Sequence, residues 1–158
     1  MRVAVVSDIH GNLTAFDAVL ADLKLMSPDL ILHGGDLAGP GSRPIEIVDR
    51  IRDLGWRGVM GNTDEMLPKP ESLTDFARPH AQLKPMFDAI GEMAAWMSAV
   101  LGSSRIRWLG DLPMTQTEGA LALVHAVPES VWRSPRADAA DDELLWAYEP
   151  LGKRLVVY

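Results

Sequence analysis

Ser7-Asp8-Ile9-His10-Gly11-Asn12 decides how the chain is read. It follows Arg2-Val3-Ala4-Val5-Val6, an apolar, β-branched run that reads as a buried strand. Side chains two apart on a strand point the same way, so Asp8 and His10 are expected to converge just past the strand end. A carboxylate and an imidazole aimed at one point suit a borderline divalent cation such as Zn, Mn, Fe, Co or Ni. Asn12 is a good N-cap, and Leu13, Phe16, Val19, Leu20 and Leu23 follow it at helical spacing. Strand, polar turn and helix place the pair at the carboxyl end of a strand, where open α/β sheets keep their sites.

Further along, the same pattern repeats. Pro28 stops the first helix, and Asp29-Leu30-Ile31-Leu32-His33 reads as a second buried strand ending in Gly34-Gly35-Asp36. A glycine- and proline-rich loop, 38–44, leads into a helix from Pro44 that Gly55 closes. Trp56–Met60 is expected as a third strand, ending in Gly61-Asn62-Thr63-Asp64. Residues 65–80 read as irregular, and 81–101 as one long helix or two short ones. Leu121-Ala122-Leu123-Val124 is a further apolar strand and ends in His125. A helix over Asp141–Tyr148 and a strand over Leu155–Tyr158 complete the reading. Strands alternating with helices imply an α/β fold with a mostly parallel sheet.

The chain has 158 residues, the size of one domain spanning 1–158. Its net charge of −7 argues against non-specific nucleic-acid binding. No apolar run reaches the roughly 20 residues that span a bilayer, so no membrane association is expected. The first residues form a core strand rather than a signal peptide, and the absence of cysteine fits a cytoplasmic location.

Four apolar strands thus end in Asp-x-His, Gly-Asp, Gly-Asn and His. In this order, from Val3 to Tyr158, they resemble the calcineurin-like metallophosphoesterases, in particular the small prokaryotic phosphodiesterase branch. The resemblance implies a four-layer α-β-β-α sandwich of two β-sheets flanked by helices. It implies two divalent metal ions (Mn, Fe, Zn, Ni or Co), with Asp8 and His10 on the first, Asn62 and His125 on the second, and Asp36 bridging. Asp36, Asn62 and His125 are then the catalytic group. A hydroxide bridging cations about 4 Å apart would attack a small phosphodiester or nucleotide-type phosphoester. Asn12, Thr63 and Arg43 are the candidate substrate contacts. The alternative is an inactive phosphoesterase-fold scaffold for protein–protein interaction.

Two departures from that family stand out. Its members carry a further Gly-His-x-His, and the sequence reaches Tyr158 where that motif would begin. Either the chain is a truncated form of a longer protein, the favoured reading, or its metal shells are incomplete, with three protein ligands per cation. In both cases the second sheet would lack strands and leave an edge open for pairing, as in a homo-oligomer. The second departure is Thr63, where many members place a histidine as general acid, oriented by the residue at Asp64. Other residues carry open readings. His33 is either a support for Asp36 or a plain strand-end histidine, and His80 reads as a surface residue. Trp132 either stacks on substrate or packs, and Arg133 and Arg136 lie on loops within reach of a phosphate.

Overall fold

Val3 and Val5, and Leu30 and Leu32, occupy alternate positions of two strand runs, and that alternation builds the centre of the molecule. In the computed structural model, which describes residues 1–158, β1 (Val3–Val6), β2 (Leu30–His33) and β3 (Arg57–Gly58) form a parallel sheet in the order β1-β2-β3. Val3 lies opposite Leu30 and Val6 opposite His33. A second sheet joins β4 (Thr115–Glu118) and β5 (Leu121–Val124) as an antiparallel hairpin, with β6 (Leu155–Val157) parallel to β5. Leu32, Val59, Leu121 and Leu123 are buried together, with Val3, Val5, Leu30 and Val157 against them, so the sheets pack face to face.

The opposite face of the first sheet carries the larger core. Helices α1 (Leu13–Met26), α2 (Pro44–Leu54) and α5 (Lys84–Gly110) bring Phe16, Ile47, Ile51, Met97 and Leu101 into it. Helix α5 is broken at Gly102, whose φ of 73° and ψ of 164° lie outside helical space. Helix α6 (Asp141–Tyr148) is fastened through Tyr148, whose hydroxyl donates to the Ala126 carbonyl at 2.8 Å and whose ring stacks on Tyr158. The architecture is the expected α/β arrangement of two small sheets flanked by helices, and the second sheet has three strands. No helix is long and apolar enough to cross a membrane.

Several elements depart from the sequence reading. The third strand pairs only over Arg57–Gly58, because Met60 N–H turns away to the Pro113 carbonyl at 2.9 Å. Residues 65–80 are not irregular: α3 (Asn62–Glu65) begins just before that stretch and α4 (Glu71–Ala77) lies inside it. Pro70 precedes the first turn of α4, where a missing N–H costs nothing, and Leu73 is buried in the core. Helix α5 starts at Lys84 rather than Ala81, after a 3₁₀ turn over Ala81–Leu83. Strand β4, Thr-Gln-Thr-Glu, is hidden in the sequence because it lacks any apolar alternation.

Candidate metal centre

Strand β1 ends at Val6, and both Asp8 (φ 56°) and His10 (φ 50°) adopt left-handed backbone conformations. Strand alternation therefore does not aim these side chains, contrary to the sequence argument. Hydrogen bonds to the neighbouring loop do so instead. Asp8 N–H donates to Gly35 carbonyl at 3.1 Å, His10 N–H to Asp36 carbonyl at 2.9 Å and Gly11 N–H to Leu37 carbonyl at 2.9 Å. The loops after β1 and β2 stay zipped together beyond the sheet. Asp36 is itself left-handed, with φ 55°. Each such non-glycine residue costs roughly 1–3 kcal/mol, held only because its surroundings over-determine it. Gly35 has φ 90° and backs directly onto Gly61, leaving no room for a Cβ at either position. That close approach carries Asp36 to the start of α3.

Asp36 is buried, and its two oxygens face different partners. Oδ2 lies 3.6 Å from His10 Nε2, while Oδ1 lies 3.7 Å from His125 Nε2. The Thr63 backbone N–H donates to Oδ1 at 2.9 Å. On the first side, Asp8 Oδ1 is 3.5 Å from His10 Nε2, and the ligand atoms of Asp8, His10 and Asp36 all lie within 4.8 Å of one another. On the second side, His125 Nε2 is 3.1 Å from Asn62 Oδ1.

Both imidazoles are oriented from behind. His10 Nδ1 meets the Gly39 carbonyl, and His125 Nδ1 meets the Gly34 carbonyl at 2.8 Å. A carbonyl accepts only, so each Nδ1 carries a proton, and Nε2 of each ring points inward. On each side that Nε2 meets only oxygen atoms, from Asp8 and Asp36 or from Asn62 and Asp36. Such a cluster is stabilised by a positive charge at its middle, either a proton on Nε2 or a bound cation. The donor set of carboxylate, imidazole and carboxamide oxygen fits divalent cations, and the backbone carbonyls supply the outer-shell contact that metal-binding histidines use.

Asp64 has a different part from orienting an acid at position 63. Its carboxylate is fully buried; Oδ1 accepts from Leu37 N–H at 3.0 Å and Oδ2 from Gly61 N–H at 3.2 Å. It staples the Asp36 loop to the start of α3. Burial, and then the neighbouring Asp36 charge, push its pKa up to about 6 against the pull of those N–H donors. Its signal in the sequence is its place in Gly61-Asn62-Thr63-Asp64, at the third residue of a helix whose first N–H groups need an acceptor.

The candidate substrate contacts are spread around this centre. Asn12 caps α1, its Oδ1 accepting from Ala15 N–H at 3.1 Å. Arg43 pairs with Glu46 at 2.8 Å. Both line an open groove of about 820 Å³ that also contains Asp8 and His10. Thr63 holds Asp36 through its backbone, while its Oγ1 is buried without a partner. His33 is not a support for Asp36: it is fully buried, lies against Trp108 and hydrogen-bonds through neither nitrogen. Arg136 pairs with Asp138 at 2.9 Å. His80, expected on the surface, is half-buried beside Phe76 and Phe87.

Residues 1–152 match the profile of the family described as calcineurin-like phosphoesterase. An uncharacterized protein of Methanocaldococcus jannaschii is 34% identical over 146 residues, which cover 89% of this chain and 56% of that protein. A metallophosphoesterase crystal structure from Sphaerobacter thermophilus matches with a TM-score of 0.64 and 28% identity, over 85% of this chain and 51% of the other. A structure described provisionally as a diadenosine tetraphosphatase shares the fold, with a TM-score of 0.57 and 23% identity over 79% and 50% of the two chains. The chain spans about half the length of the relatives it matches.

Proposed function

Because the chain belongs to the calcineurin-like phosphoesterase family, we propose that it takes part in hydrolysis of phosphoesters, of the phosphodiester or nucleotide type, using two divalent cations shared across Asp36. The observation that carries this reading is the pair of carbonyl-anchored imidazoles. His10 and His125 turn their free nitrogens toward opposite oxygens of one buried carboxylate. Divalent cations held there would polarise a phosphoryl oxygen and make water a competent nucleophile near neutral pH.

The chain's own residues divide the remaining work. Asp36 offers one oxygen to each side, which an imidazole with one nitrogen already protonated cannot do. Asn62 supplies a neutral oxygen and so limits the negative charge concentrated on the second side. Asp8 and Asp36 supply the negative charge that balances a cation on the first. The backbone carbonyls of Gly34 and Gly39 keep both rings in the ligating tautomer, and Asp64 holds the two halves of the site in register.

The test is hydrolysis of bis(p-nitrophenyl) phosphate by metal-stripped protein, before and after addition of manganese. The reading expects turnover to appear with manganese, disappear with chelator, and return on readdition. Absence of turnover at proven manganese occupancy would overturn it and favour the scaffold alternative.

A further inference from the structure

A cavity of about 550 Å³ opens directly beside the second ligand side, and Asn62 and Thr63 form part of its wall. Phe76 of α4, Trp132, and Met86 and Met93 of α5 form much of the remainder. Its size suits one drug-sized organic group. No carboxylate, guanidinium or ammonium group lines it. Trp132 is not free to swing, because its Nε1–H donates to Glu65 Oε2 at 2.6 Å. The Phe76 ring lies 5.0 Å from the Trp132 ring, which makes a fixed aromatic wall. Met86 and Met93 are 46% and 42% exposed, so flexible thioethers stand at the solvent side where a ligand would enter.

Resting on the phosphoester reading and narrowing it, we propose that this cavity receives an uncharged aromatic group esterified to the phosphate. Two features favour an aromatic group over a nucleoside or an alkyl chain. A nucleoside carries ring nitrogens, an exocyclic amine or carbonyl, and sugar hydroxyls, and burying these without partners is unfavourable. Against that need the wall offers three polar side chains: the Asn62 carboxamide, which faces the metal side, the Thr63 hydroxyl, and the His80 imidazole beside Phe76 and Phe87. An alkyl chain would gain from burial alone, whereas an aromatic ring also gains from offset stacking on Phe76 and Trp132 and from methionine sulfur at its edge. Continuity through Asn62 and Thr63 places such a ring beside the phosphate that the cations would hold.

Binding of non-hydrolysable phosphonates to manganese-loaded protein, followed by calorimetry, tests this without dependence on leaving-group chemistry. The probes are methyl-, hexyl- and 2-naphthylmethylphosphonate, with adenosine 5′-monophosphate as the nucleotide. The naphthylmethyl compound should bind at least tenfold tighter than methylphosphonate and tighter than either other probe. Met86→Glu and Met93→Glu, each checked for an unchanged thermal melt, should erase the naphthylmethyl advantage by placing a charge at the mouth. Equal binding of the naphthylmethyl and methyl compounds would overturn the cavity assignment and leave the phosphoester reading standing. Tighter binding of the hexyl compound or of the nucleotide would overturn the aromatic assignment. Failure of every phosphonate to bind would overturn the phosphoester reading and this proposal together.

Discussion

His33 and His125 each follow an apolar strand run, Leu30-Ile31-Leu32 in one case and Leu121-Ala122-Leu123-Val124 in the other. Their surroundings have little else in common. His125 uses both nitrogens, one on the Gly34 carbonyl and one toward Asn62 and Asp36. His33 is fully buried against Trp108 with neither nitrogen bonded, and burial lowers its pKa to about 4. In the proposed reading, a histidine at a strand end becomes a ligand through the carbonyl behind it and the carboxylate in front. Without them it is a polar side chain accepted into the core at a cost.

The sharpest way to break the comparison is to remove each ring. His125→Ala should lower manganese-dependent phosphodiester hydrolysis by more than about 100-fold, since loss of an outer-shell partner alone typically costs up to that much. His33→Leu should leave turnover within a few-fold. Parallel steady-state measurements on the two variants check this, and a His33→Leu loss as deep as that of His125→Ala would erase the distinction.

The pH dependence of folding comes next in size. His33 stays neutral down to about pH 4 in the folded chain but takes up a proton near pH 6.5 when unfolded. Between those values the unfolded state binds more protons, so stability falls as pH falls from 6.5 to 4 and is indifferent to this group above that window. The separation corresponds to about 3 kcal/mol. Asp64, with its raised pKa, works in the opposite sense over much of this range. The His33 contribution is therefore read as the difference between native and His33→Leu proteins in urea titrations at pH 7 and pH 4. The native protein should lose more stability on acidification than the variant. An unchanged acid sensitivity in the variant would mean that His33 is not desolvated as described.

Asp64→Asn asks whether the staple beneath the site matters. An amide can accept from Leu37 N–H, but its NH₂ then faces the Gly61 N–H, donor against donor. Manganese affinity should drop roughly 10- to 100-fold, the range expected for an outer-shell change. Calorimetric titration measures it, and native affinity in the variant would assign Asp64 to stability alone. Smallest is the effect of placing a third histidine at the centre. Thr63→His should raise turnover of alkyl esters relative to aryl esters by about tenfold, less than the ~10² to 10⁴ of a well-placed general acid. A series of diesters with graded leaving-group pKa reads this out, and an unchanged slope would show that position 63 does not reach the leaving oxygen.

The proposed ligand set can be picked out in the sequence because each of its residues stands beside a local backbone signal: Asp8 and His10 after a β-branched run, Asp36 after two glycines, Asn62 after Gly61, and His125 after an apolar strand. What aims them is not legible. The left-handed backbone at Asp8, His10 and Asp36 is set by hydrogen bonds between loops more than twenty residues apart, which no local pattern encodes. The carbonyl partners of the two imidazoles are likewise chosen by tertiary approach, as Gly34 lies 91 residues from His125. Helix α4 is masked by Pro68 and Pro70, which read as loop punctuation, although Pro70 stands before a first helical turn. The cavity beside Asn62 joins α4, α5 and the loop of Trp132, three stretches that the sequence keeps apart.

Metal stoichiometry in single-site variants tests the central claim most directly. Asp8→Ala, Asn62→Ala and Asp36→Ala would each be equilibrated with excess manganese, freed of unbound metal, and assayed by elemental analysis. Asp8→Ala should lose the cation on the open side and Asn62→Ala the cation on the buried side, each keeping the other. Asp36→Ala should lose both, because its carboxylate alone faces both imidazoles. An Asp36→Ala protein that retains one full equivalent would contradict the shared carboxylate on which the account rests.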